Sequence, residues 1–248
     1  MTRKAFGILI GLTAAGTTLQ LWADGGNKKM FAVTTTQQAT FQPGGTIHFN
    51  RSYGYLSIEG WDRPEVEITV TKSLADLYDA KGQAEATKRV NTVQVTAERR
   101  SDTDLEITTT VPHYSRWTHP LGSTGGVMVE YQVHVPRDSK LVIQHGAGDV
   151  LVSSVANDIE ADVHSGDIVV LLPETVQYAI DAKSKVGTVS SDIDGDFHRG
   201  HLVGIRYAHT AAAPSHKLTL RVGVGGITIK SSVSPASPTT PTGSLNSR

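Results

Sequence analysis

The residue types in this sequence that could do chemistry are scattered along the chain. Asp149 and Asp167 each follow a glycine. If the segments carrying them stack, two carboxylates meet on an outer face, the beginning of a Ca²⁺ site, which needs six to eight oxygen ligands. Thr188 and Gly226 fill that slot in later segments, so the acidic column is not sustained and solvated turn carboxylates are expected. Asp192, Asp194 and Asp196 alternate around Gly195, but Val203 stands where an EF-hand loop starting at Asp192 requires its closing glutamate, which predicts a plain acidic loop. The ten histidines form neither His-x-x-x-His nor His-Glu-x-x-His, so turn or surface histidines are expected rather than metal ligands. Serine is abundant, yet there is no Gly-x-Ser-x-Gly elbow to place a nucleophile. No catalytic residue, metal ligand or cofactor is expected.

One segment differs from its surroundings. From Val111 to Gly122 the chain gathers Tyr114, Arg116, Trp117, His113 and His119, and aromatics beside an arginine are typical of recognition surfaces. Tyr114, Arg116, Trp117 and His119 are therefore the candidate binding residues. The competing reading has Trp117 folding back to plug an open end of the core. Trp61, just after Gly60, is expected to pack a corner.

The elements that must position these groups follow from composition and periodicity. There is no cysteine, which removes disulfides, thiolate chemistry and lipid-modified cysteine together. Lys and Arg number 23 against 24 Asp and Glu, with the signs mixed along the chain, so nucleic acid is not an expected partner. Thr, Val, Gly and Ser dominate, the composition of a β protein with many turns. Met1-Thr-Arg-Lys4, the apolar stretch from Ala5 to Ala15 and the break after Ala23 read as a signal peptide over 1–23, since about 11 to 15 apolar residues are short for a membrane span. Residues 24–44 read as a linker or strand, 45–230 as one β-repeat domain, and 231–248 as a Ser/Thr/Pro tail with nothing to bury. Export to the periplasm or cell surface is the expectation, with no transmembrane segment after signal cleavage.

Within 45–230 one spaced pattern recurs: apolar, any, apolar, four residues, glycine, any, apolar, any, apolar. It fits Ile47, Phe49, Gly54, Leu56, Ile58, and again Leu141, Ile143, Gly148, Val150, Val152. Three further copies centre on Gly166, Gly187 and Gly225, and nineteen of the twenty apolar slots hold an apolar residue, Ser191 being the departure. Period-2 alternation on both sides of a glycine predicts two short strands, each burying one face, joined by a corner. One unit cannot bury its own face, so copies must stack. The predicted fold is all-β, a β-solenoid or β-roll-like stack of strand, glycine corner, strand repeats. An antiparallel sandwich is the alternative, disfavoured because it has no reason to repeat the glycine register. Glu65 to Thr71, Thr103 to Val111 and Gly126 to Val135 read as further strands, and Leu74 to Arg89 as a helical insertion over an edge or end.

The run Gly54-Tyr-Leu-Ser-Ile-Glu-Gly-Trp61-Asp62, the alternation Val66-Glu-Ile-Thr-Val70, Ser165 to Val170 and the closing Gly225-Gly-Ile-Thr-Ile-Lys230 resemble the bacterial "putative adhesin" family of exported β-strand-repeat domains of unknown function. The resemblance covers about residues 45 to 230 and implies a solenoid-like fold in a cell-envelope setting, with no catalytic residues to carry over. The expected function is a non-catalytic structural and binding scaffold meeting an envelope or cell-surface ligand, protein or glycan. Its rival is a parallel β-helix enzyme acting on polysaccharide, which would show Asp, Arg and Lys converging in an open groove on one face.

Overall fold

Two nine-stranded sheets face one another across a single apolar core. The computed structural model describes residues 13–23, 29–78, 82–111, 126–200 and 204–232. Sheet B contains β3 (Thr46–Ser52), β9 (Lys140–Ala147), β11 (Ile159–Ser165), β17 (His216–Val224) and β13 (Tyr178–Val186), side by side and parallel in that order. After a corner each continues into sheet A, as β4 (Tyr55–Trp61), β10 (Val150–Ser153), β12 (Ile168–Pro173), β18 (Ile227–Ser232) and β14 (Val189–Ser191). These too are parallel, with Leu56, Val150, Ile168, Ile227 and Val189 in one cross-strand row. Alternation explains the core: all nineteen apolar residues of the sequence pattern are buried, and each sheet presents its intervening residues outward.

The corners explain the glycines. Gly148 has φ +114, and a Cβ there would lie 2.0 Å from the Gly54 carbonyl oxygen. Gly166 repeats this against Gly148, Gly225 against Gly166 and Gly187 against Gly225, so the five corners stack backbone on backbone where no side chain fits.

Further strands flank the parallel set. In sheet A, β8 (Val127–Pro136) runs parallel to β4, followed by antiparallel β5 (Glu65–Tyr78), β2 (Lys29–Thr40) and β1 (Thr13–Ala23). In sheet B, β7 (Asp104–Thr110) and β6 (Gln94–Ser101) extend one side, and β16 (Ile205–Thr210) with β15 (Asp196–Arg199) the other. The expected strands within 65–71, 103–111 and 126–135 are thus present, whereas β6, β15 and β16 were not anticipated.

Three findings refine the sequence reading. The helix α1 spans Gln83–Val90, not Leu74 to Arg89. Leu74 instead faces Val127 in the β5–β8 pairing and is fully buried, so sheet pairing overrides local helix propensity there, while Ala86 and Val90 bury the helix's apolar side. The units do not stack in chain order either: β17 and β18 enter between β11/β12 and β13/β14. The reason is that β16 turns back onto the outer edge of β13, leaving only the inner edge for the last unit. Finally, Thr13–Ala23, inside the expected leader, is the edge strand β1 of the uncleaved chain, and cleavage after Ala23 would leave β2 as that edge. Among the described residues no helix is long and apolar enough to cross a membrane.

Candidate binding site

Tyr114, Arg116, Trp117 and His119 lie outside the described residues. The other groups singled out by sequence have definite places, most of them structural. Asp149 Oδ1 accepts the Asp167 amide at 3.0 Å, and Asp167 Oδ1 accepts the Gly226 amide at 2.6 Å. Each carboxylate thus caps the next corner rather than facing an ion. Asp192 accepts the Ser231 amide through both oxygens, at 2.9 and 3.1 Å, which ties the acidic run to β18. No three His, Asp or Glu side chains gather as a metal site among the described residues.

The histidines fall into separate settings. His145 is buried, its Nδ1 2.9 Å from Ser52 Oγ. Burial pushes its imidazole below the ordinary histidine value, against the opposing pull of the Gly54 and Ala147 backbone and of Asp149. His134 stands between Glu59 and Glu67 and stacks on Trp61, with ring centroids 4.9 Å apart. Trp61 donates from Nε1 to the Glu65 carbonyl at 2.8 Å and lies under the Arg63 guanidinium. Gly60 lies within β4 and is no turn, and Trp61 ends that strand half-buried on the outward side rather than packing a corner.

The outer face of sheet B carries what sequence reasoning missed. Gln144, Asp162, Arg221, Lys183 and Arg206 stand directly opposite one another on β9, β11, β17, β13 and β16. One outward position further along the strands come His164 and Lys185, flanked by glycines on β9 and β17. A Cβ on Gly223 would lie 2.4 Å from the His164 carbonyl oxygen, so that position stays bare and the face dips. The result is an open trough of about 310 Å³ lined by Asp162, His164, Lys183, Lys185, Arg221 and Gly223. It continues past His164 toward Gln144 and Arg51.

Its electrostatics centre on Asp181. Arg221 Nη2 donates to Asp181 Oδ2 at 2.6 Å and Arg206 Nε to Oδ1 at 2.9 Å. Partial burial pushes this carboxyl up, but the two arginines outweigh it and hold it below the usual carboxylate range. Arg221 Nη1 is spent on the Asp181 and Leu220 carbonyls. Lys183 and Lys185 are exposed and have no ion-pair partner among the described residues. A signal for this row existed in the repeat: Gln144, Asp162, Lys183 and Arg221 all follow the second apolar slot of their units.

The fold and surface define an all-β protein whose two facing sheets are built around stacked glycine corners and whose charged groups lie on open outer faces. The chain belongs to the family described as Toastrack DUF4097, whose model matches residues 14–230. That agrees with the resemblance to the adhesin-like family of unknown function. Similar solved structures include one described as "a putative cell adhesion protein" from Clostridium sporogenes ATCC 15579, 14% identical with a TM-score of 0.48, the match covering 80% of this chain and 100% of that one. Another is "a putative adhesin" from Bacteroides fragilis NCTC 9343, 11% identical with a TM-score of 0.25, covering 80% and 97%. No curated protein matches the chain.

Proposed function

We propose that this protein is an exported, non-catalytic binding scaffold of the cell envelope, a solenoid-like stack that presents its outer faces and interrupting loops to an envelope or cell-surface ligand. One observation carries the reading: the stack itself consumes the groups that might have done chemistry at the corners. The inward slots are filled with aliphatics, and Asp149, Asp167 and Asp192 hold backbone amides of neighbouring units. What remains free among the described residues includes the outer face of sheet B, and the segment His113 to His119 is the second candidate, because loops on a rigid frame commonly carry recognition.

A second reading has specific support. Asp162, Arg221, Lys183 and Lys185 line one open trough, the convergence that a polysaccharide-cleaving β-helix enzyme would show. Against it, Asp181, the carboxylate among the trough's cations, is committed to two arginines.

Attachment of the purified protein to isolated cell envelopes tests both readings. Replacing Tyr114, Arg116 and Trp117 together by Ala should leave β content and melting nearly unchanged while strongly weakening attachment. Unfolding of that variant would make Trp117 a plug of the core, and turnover of any polysaccharide by the wild-type chain would replace the scaffold reading with the enzymatic one.

A further inference from the structure

On the outer face of sheet B three cations, Arg221, Lys183 and Arg206, stand in register on adjacent strands, and Lys185 stands beyond Lys183 on the same strand. Like charges directly opposite one another destabilise a sheet. Asp181 relieves only part of this repulsion, because it faces both arginines at once. The equivalent outward slots at the other end of the stack are neutral, Gln144 on β9 and Asn50 on β3, so the fold does not require cations there. Lys183 and Lys185 each keep three donors, and Arg206 uses only its Nε on Asp181.

Building on the scaffold reading above, we propose that this trough binds the anionic groups of a linear acidic polysaccharide. Lys183, Lys185 and the free end of Arg206 take the carboxylate or sulfate. Asp162, His164 and Gln144, on the neighbouring strands, meet the intervening sugar hydroxyls. The row from Asp162 to Arg206 crosses three strand spacings, about 14 Å at about 4.8 Å each, and the trough is open at the side, which suits a chain laid across the strands. The arrangement favours a polysaccharide over a nucleic acid for two reasons. Glu160 and Asp162 sit on β11 beside the cations and would repel the dense phosphate charge of a duplex, and among the described residues no Phe, Tyr or Trp lines the trough for base stacking.

The test is calorimetric titration of the full chain with polygalacturonate and with dextran sulfate, neutral dextran serving as control. Wild type should bind both acidic polymers and not the neutral one, more weakly as salt rises. Lys183→Glu/Lys185→Glu should lose at least about tenfold in affinity, while Lys88→Glu/Lys230→Glu, with the same change of charge on α1 and β18, should stay within about twofold. If circular dichroism shows the trough variant unfolded, Lys183→Gln/Lys185→Gln carries the same comparison. Equal losses in both pairs, no binding of either acidic polymer, or tighter binding of duplex DNA with the same dependence on Lys183 and Lys185 would each overturn the site. Envelope attachment by a chain that ignores acidic polysaccharide would overturn it and leave the scaffold reading standing. Cleavage of polygalacturonate would leave the site and remove the non-catalytic reading.

Discussion

Where β11 and β17 place Val163 and Val222 in the core, β9 places His145. Its Nδ1 meets Ser52 Oγ, but its Nε2 is buried with no hydrogen-bond partner, so a second proton on the ring would carry a charge into a site built for a neutral group. Burial lowers the folded-state value below that of the unfolded chain. The unfolded chain therefore takes up a proton first as pH falls, and stability drops from about pH 6.5 downward, levelling once the folded form also protonates. Above that range His145 is neutral in both states and contributes no slope. His145→Val, which installs the residue of the neighbouring rungs, should remove this component. In urea denaturation at pH 7 and pH 5, the stability of the variant relative to wild type should rise on acidification. An unchanged difference would mean that His145 is not titrating inside the fold. The other histidines are common to both proteins and cancel in the comparison.

Each unit of strand, corner and strand buries its apolar residues only because its neighbours cover them. Ile168 is fully buried, paired with Val150 on one side and Ile227 on the other. Ile168→Ala should cost about 2 to 5 kcal/mol of unfolding free energy in urea titration, as large-to-small changes in a packed core do, and a loss below about 1 kcal/mol would mean that the rungs do not share this register. These elements were legible in the sequence because two constraints coincided, alternation on either side of a glycine and a glycine that stacking forbids to carry a side chain. Leu74 to Tyr78 was not legible, since its helical character is local and its strand pairing, Leu74 to β8 and Tyr78 to β2, is not. The basic trough was half legible. Lys183 and Arg221 share a slot in their units, but the intrusion of β17 between β11 and β13 is what sets Arg221 beside Asp162, and Arg206 joins the row from an antiparallel strand outside the repeat.

Across the whole molecule the sheets end differently. The β6 edge carries Arg99 and Arg100, and β15 is short with all four residues exposed, features that discourage edge-to-edge association. The interior order has a sharper effect. Because β17 and β18 separate β11/β12 from β13/β14, a chain ending at Ser215 should leave β13 to β16 without the rung that joins them to the rest. Limited proteolysis of that truncated protein should digest residues from about 176 onward and spare the part from β2 to β12, and protection extending through β16 would show that β13 can dock on β11 directly. The same order governs when the molecule can close during its own making. At about 5 to 20 residues per second, some 50 residues and roughly 3 to 10 s separate the emergence of β11 from that of β17, and through that interval β13 and β14 have no final seat. Until β17 arrives, the stretch from β13 to β16 waits beside an already seated portion, so the stack is completed from within rather than at its growing end.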